Sequence, residues 1–220
     1  DKEIEKIKIQ IRFRIIFYYF HFMNFLAHLY LSKENTDLML GNFLGDFVKG
    51  KKHENYRPTI QKGILLHRQI DTFTDQHKIV KISKRRLHER YGHYDGIIID
   101  IFYDHFLAKN WHHYSAIPLD IYAQGFYKLM HTNYDILPEK AQNLLPYMEQ
   151  YDWLYNYQFL EGMKTVLEGM NRRTKMVSKM NIAIEDLQEH YSDLETDFSL
   201  FFKELINFTD NKINEFSLLH

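Results

Sequence analysis

The chain has 220 residues, 45% of them apolar, with 16 Tyr and 17 Phe but only 9 Gly and 4 Pro. That is ample material for one packed core, and too little turn punctuation for many short strands. A formal charge of −1 excludes the global basic field that draws a protein onto nucleic acid, and the absence of cysteine excludes disulfides, zinc–thiolate sites and a cysteine nucleophile.

Residues 1–22 carry five Lys/Arg and three Asp/Glu, then an apolar run, Ile15-Ile16-Phe17-Tyr18-Tyr19-Phe20. The run is too short to span a bilayer, and no small-residue cleavage site follows it. Met23 opens a stretch, Met-Asn-Phe-Leu-Ala-His, that reads as a natural start. Residues 1–22 are therefore expected to be a non-native or weakly ordered extension, and residues 23–220 one all-helical domain. A membrane or partner anchor is the other reading of the extension. Without a credible export signal, the expected location is the cytoplasm.

From Met23 onward, apolar residues recur at helical spacing between short polar turns. Asn24 to Leu31 reads as a short helix. Asn35 or Thr36 can cap a second, which covers Leu38 to Val48 and ends near Gly50. Pro58 suits the first turn of a helix from Thr59 to about Asp75, and the next covers about Lys78 to Tyr91. Ile97 to Trp111 is the most apolar segment. Ile97-Ile98-Ile99 alone could be a buried strand, but the spacing of Asp100, Asp104 and His105 favours a helix. Pro118 and Pro138 each open another, Tyr157 to Gly169 forms one more, and about Met176 to Phe216 reads as a long amphipathic helix with breaks. The expected fold class is all-α, a single bundle of about eight helices.

Acids and histidines interrupt these greasy segments. His67, Asp71 and Asp75 fall at i, i+4 and i+8, on one face that drifts about 40° per step. Asp100 and Asp104 share a face, and His105 lies about 100° around the same helix. Asp46 sits among Leu44, Phe47 and Val48, and His28 between Leu26 and Leu29. Taken singly, each has an ordinary reading: His28 as a hydrogen-bonded core histidine, Asp75 as a helix terminator, Asp100 as the partner of a lysine, Arg68 as the counterion of Asp71 or Asp75. Taken together, they are better accounted for by a shared cation, because a carboxylate among Ile and Phe is costly unless paired or metal-bound. Mixed imidazole and carboxylate donors suit Mn²⁺, Fe²⁺ or Zn²⁺, and the weight of oxygen favours Mn²⁺ or Mg²⁺.

Four blocks, Met23-Asn-Phe-Leu-Ala-His-Leu-Tyr-Leu, Gly41-Asn-Phe-Leu-Gly-Asp-Phe-Val-Lys-Gly, Gly63-Ile-Leu-Leu-His-Arg-Gln-Ile-Asp-Thr-Phe-Thr-Asp and Asp100-Ile-Phe-Tyr-Asp-His-Phe-Leu-Ala, together resemble the acyl carrier protein phosphodiesterases. The similarity runs from Met23 to about Phe208. That family is held to be a distant, rearranged relative of the HD-domain phosphohydrolases, all-α enzymes that bind divalent metal through His and Asp. The His-Asp dipeptide of that superfamily is absent as such. Its nearest match, Asp104-His105, is reversed, and His67 with Asp71 offers a comparable pair at helical spacing.

The resemblance implies hydrolysis of the phosphodiester joining 4′-phosphopantetheine to a serine of holo-acyl carrier protein. The metal-ligand pool inferred from spacing is His28, Asp46, His67, Asp71, Asp104 and His105, not all at one ion, with Mn²⁺ preferred over Mg²⁺ or Fe²⁺. His67 and Asp71 would carry the chemistry with Arg68 as phosphate clamp and Asp75 or Asp100 orienting a histidine. The protein partner is small and strongly acidic, so local cations should meet it. Lys49, Lys51 and Lys52, just after Asp46, are candidates, as is Lys84-Arg85-Arg86. Arg172 and Arg173 are candidate phosphate contacts.

Two other functions fit the same residues: a metal phosphohydrolase of a nucleotide or other small phosphoester, and a non-catalytic helical binding protein. A di-iron carboxylate bundle does not fit, since it predicts Glu-x-x-His pairs and no Glu here is followed three residues later by His. Oligomeric state is not legible.

Overall fold

The computed structural model describes residues 25–218. The expected extension, residues 1–22, lies outside the described residues, as do Met23 and Asn24. Among the described residues there are eleven α-helices and no strand: α1 (Phe25–Tyr30), α2 (Thr36–Leu44), α3 (Pro58–Gln76), α4 (Lys78–Tyr91), α5 (Asp95–Lys109), α6 (Leu119–Thr132), α7 (Glu139–Gln150), α8 (Trp153–Asn156), α9 (Leu160–Arg173), α10 (Ala183–Glu189) and α11 (Tyr191–Leu218). The all-α bundle read from periodicity is the fold observed.

Local chemistry sets most boundaries. The Asn35 side chain accepts from the amides of Asp37 and Leu38, capping α2. Pro58 stands in the first turn of α3, where its missing N–H removes a donor that would have no helical partner. Pro118 and Pro138 hold extended ψ at the starts of α6 and α7. One expectation needs correction. The second helix stops at Leu44 rather than Val48, because Phe47 and Val48 both donate back to the Leu44 carbonyl in a turn; their apolar side chains only prolong the helical period. The breaks expected in the long final segment fall after a 3₁₀ turn at Met180–Ile182 and α10, with α11 starting past His190.

The central element is α5, buried on nearly every face from Ile98 to Ala108. Against it α11 sets Leu194, Phe198, Phe201, Phe202 and Leu205, all buried and spaced by three or four. Each such side chain contributes roughly 1.5–3 kcal/mol on burial.

The pair α2 and α3 approach unusually closely. A Cβ on Gly63 would lie 2.5 Å from the Leu38 carbonyl oxygen and 2.8 Å from Gly41 Cα, and a Cβ on Gly41 would strike Ile60. Only paired glycines permit this spacing, and it sets the distance between the next turns of the two helices, where Gly45 and His67 stand. No helix among the described residues is long and apolar enough to cross a membrane.

Candidate metal centre

His67 and Asp71 project from one face of α3, and α1 brings His28 against them. The rings of His28 and His67 are stacked, 4.2 Å between centroids. His67 Nε2 stands 3.2 Å from Asp71 Oδ2 and 3.5 Å from Asp46 Oδ1, and His28 Nε2 stands 3.4 Å from Asp71 Oδ1. Donor atoms of His28, His67 and Asp71 all lie within 4.8 Å of one another. Ligands held at ~2.0–2.2 Å from one ion are separated by roughly 3–4.4 Å, so a small inward adjustment closes the set on a cation.

The orientation of His28 is fixed by a residue that the spacing argument missed. Asn42 Nδ2 donates to the His28 carbonyl (2.7 Å) and to Ser32 Oγ (3.0 Å), which leaves Oδ1 as the acceptor facing His28 Nδ1 at 2.8 Å. Nδ1 is therefore the donor to Asn42. His28 Nε2, buried and without a well-formed hydrogen bond among the described residues, faces Asp71 Oδ1 at 3.4 Å. An orphaned buried donor atom is what a metal ligand looks like before its ion. Asn42 is in the Gly41-Asn-Phe-Leu-Gly-Asp block, and a buried amide between two apolar neighbours was the available signal.

Gly45 supplies the space for His67. Any Cβ there would collide with the His67 ring, although the backbone at Gly45 is ordinary right-handed helix. The glycine is thus needed for room and not for conformation.

Charges divide sharply across the site. Burial lowers the His67 imidazole, but Asp46 and Asp71 outweigh it and raise His67 to about 9. Burial raises Asp71, but His28 and His67 outweigh it and hold the carboxyl well below the usual range. Asp71 keeps 48% of its side chain exposed, so the cluster faces solvent on one side.

Asp100 stands nearby, where burial pushes its carboxyl up to about 8; Lys84 opposes that rise, and Asp71, Asp75 and Asp46 add to it. A void of about 20 Å³ is lined by His28, Asp100, Asp104 and Tyr103 among others, so Asp100 borders the centre from the α5 side.

Other expected site residues are placed elsewhere. Asp104 Oδ2 and Oδ1 accept from the amides of Leu26 (3.0 Å) and Ala27 (2.9 Å); the carboxyl caps α1, and so positions His28 without belonging to the three-residue cluster. His105, a hundred degrees around α5, is committed on both nitrogens, to the Tyr157 carbonyl and the Tyr191 hydroxyl, each at 2.8 Å. Arg68 Nη2 donates to the carbonyls of Val48 (3.0 Å) and Gly50 (2.8 Å), anchoring the loop after Asp46 instead of reaching into the cluster. Asp75 is exposed and paired with Lys84 at 2.9 Å. Lys51 and Lys52 are exposed on the 3₁₀ turn Gly50–Asn55, which follows Lys49. Arg172 pairs with Glu168 at 3.6 Å on α9, and burial lowers the half-buried Arg173 guanidinium.

The geometry defines a class: an all-α bundle whose helices gather two imidazoles and a carboxylate, compatible with a divalent cation, at a partly open face. The chain matches the acyl carrier protein phosphodiesterase family over residues 23–205. It is 34% identical over 191 residues to the acyl carrier protein phosphodiesterase of Photorhabdus laumondii, covering 86% of this chain and 96% of that one. The corresponding proteins of Yersinia enterocolitica and Escherichia coli are 33% and 31% identical, each alignment covering 86% of this chain and 99% of the relative. No solved structure matches. The chain belongs to the acyl carrier protein phosphodiesterase family, a family of phosphoric diester hydrolases.

Proposed function

We propose that this protein hydrolyses the phosphodiester between 4′-phosphopantetheine and a serine of holo-acyl carrier protein, releasing the apo form, with a divalent metal held by His28, His67 and Asp71. Supporting the substrate is similarity to carrier-protein phosphodiesterases across nearly the whole described chain. The metal is supported by one observation above all: His28 Nε2 is buried, lacks a well-formed hydrogen bond among the described residues, and is aimed by Asn42 at Asp71 and the His67 ring.

When bound, the cation supplies Lewis-acid polarisation of a phosphoryl oxygen and acidifies water at neutral pH. The protein's own groups do the rest. Asp46 faces the same His67 Nε2 at 3.5 Å, so its carboxylate can join the set around the cation. Asp100, whose carboxyl is pushed up chiefly by burial, borders the centre from α5 and is the candidate proton donor to a departing serine oxygen. Asp71, half-exposed, leaves the face open to a bulky protein substrate. Mn²⁺ is the preferred ion; two imidazoles with one carboxylate also suit Fe²⁺, and Mg²⁺ remains a third choice. Lys49, Lys51 and Lys52 offer positive charge to an acidic carrier beside the centre. The reading carries a cytoplasmic location with it, and requires neither nucleic acid nor membrane as partner.

The test is incubation of metal-loaded protein with holo-carrier protein, read by mass spectrometry as loss of the arm. His67→Ala and Asp71→Ala should each lose bound Mn²⁺ and activity while the helical circular dichroism stays. Turnover of bis(p-nitrophenyl) phosphate or nucleotides without turnover of holo-carrier protein would instead establish a small-phosphoester hydrolase. Near wild-type turnover by either variant would refute the site.

A further inference from the structure

A cavity of 610 Å³ opens beside the loop that follows Asp46. Val48 and Leu137 form its buried side, Phe47 and Tyr56 are half-buried, and Lys52 and Ile136 stand at its exposed edge. Its size falls in the usual range for small-ligand sites. One side of it is built by the segment that leads away from the candidate centre. Phe47 and Val48 directly follow Asp46, and the Val48 carbonyl is tied to Arg68, the neighbour of His67.

The walls are held in place by bonds that do not need a ligand. Arg57 donates Nε and Nη2 to Asp37 at 2.8 and 2.5 Å, and Nη2 also to Asn133 at 3.2 Å, which fixes the turn leading to Ile136. Gln142 donates to the Tyr134 carbonyl at 2.9 Å, and Gln61 to the Tyr56 carbonyl at 2.7 Å. The cavity is therefore preformed.

Its lining is mixed. Apolar side chains alternate with the Tyr56 phenol, the Asn55 amide and the Lys52 ammonium. Arg57 is neutralised by Asp37, whereas Lys52 makes no ion pair among the described residues. Such a surface suits a flexible chain of methylenes and amides that ends in a phosphate on the side of the metal centre, presented by a protein of negative charge.

We propose that this cavity is the binding site for the pantetheine arm, seating its amide chain between Phe47, Tyr56 and Leu137 while the phosphodiester lies at the His28–His67–Asp71 cluster. This rests on the carrier-protein reading for its biological substrate. The occupant this lining suits is an uncharged amide chain, its methylenes against Phe47, Val48 and Leu137 and its amides within reach of Tyr56 and Asn55.

The experiment titrates pantetheine, with neither phosphate nor carrier, into the full chain at millimolar concentration, observing methyl and amide NMR shifts. Shifts should cluster at Val48, Tyr56, Ile136 and Leu137. Ile136→Trp narrows the mouth at a position 40% exposed, where a larger ring has room to fold, and should weaken binding about tenfold or more. Tyr56→Ala, which removes a wall instead of filling the mouth, should weaken it as well. For holo-carrier protein both variants should raise KM by a similar factor, with kcat within about twofold of wild type, because the lost contacts bind ground and transition states alike. Equal pantetheine binding by wild type and both variants, or none by wild type, overturns the assignment. If holo-carrier protein is cleaved but pantetheine shifts other residues, the pocket fails and the function stands. If pantetheine binds here but holo-carrier protein is untouched, the pocket stands and the proposed function fails.

Discussion

His28 and Asn42 are joined twice: the Asn42 amide nitrogen donates to the His28 carbonyl at 2.7 Å, and its oxygen accepts from His28 Nδ1 at 2.8 Å. One side chain on α2 thus fixes both the backbone and the ring of a residue on α1. Two short helices that would be marginal alone are locked at the point where a donor atom must be aimed.

Replacing Asn42 with Ala should separate two consequences of that lock. Without metal, buried groups on His28 and Ser32 lose their partners, and stability should fall by about 1–3 kcal/mol. With metal, the His28 ring is no longer held in one tautomer and orientation, and affinity for Mn²⁺ should fall roughly 10–100-fold. Thermal melting in chelator reads the first effect, and calorimetric metal titration the second. Destabilisation with unchanged Mn²⁺ affinity would remove His28 from the ligand set.

Gly45→Ala puts a methyl group where the His67 ring lies, on a backbone that alanine adopts freely. The expected penalty is about 1–3 kcal/mol from overpacking, with a loss of metal affinity as the ring moves aside. The decisive measurement is a double-mutant cycle. In the His67→Ala background the same substitution should cost little, since the colliding ring is gone. If the two effects simply add, the glycine acts through something other than His67.

How far the sequence disclosed all this depended on which physical signal each residue carried. Helical period and prolines located nearly every helix, because α5 and α11 repeat their apolar residues over several turns. The i, i+4 pair His67 and Asp71 was legible for the same reason. Asp104 and His105 were legible as unusual but not as to purpose. A buried acid that caps α1 and one that binds a cation look alike until the partner amides of Leu26 and Ala27 are seen. Arg68 is similar, since its carbonyl partners come from a loop whose path no periodicity encodes. Asn42, Gly45 and the Gly41–Gly63 contact act through close approach between helices, and spacing along one chain says nothing about that distance.

His105 provides a pH prediction away from the cluster. Burial lowers its pKa, with the Tyr157 carbonyl opposing. The native state favours the neutral ring, so its contribution is complete above the ordinary imidazole pKa of about 6.5 and is lost as pH falls toward the depressed folded value. Melting temperature should decline below that pH in wild type, and less steeply in His105→Gln, which cannot gain a proton. An identical slope in both proteins would show that His105 does not titrate on unfolding.

His67 should behave with the opposite sign. Burial would lower it, yet Asp46 and Asp71 raise it from 6.5 to about 9, so the metal-free native state favours the imidazolium. Its contribution to stability is fully present below pH 6.5 and disappears as pH rises through about 9. Metal-free protein should therefore melt progressively lower across that window, beyond any change seen in His67→Ala. A cation competes for the same Nε2 and must displace its proton, so Mn²⁺ affinity should rise with pH up to about 9 and binding should release acid. Melting curves in chelator and in Mn²⁺ at several pH values, with proton release followed in weak buffer, give both quantities at once. Stability gained from Mn²⁺ that is constant across the window, with no acid released, would mean that the ion sits elsewhere and that His67 serves only as the buried partner of Asp46 and Asp71.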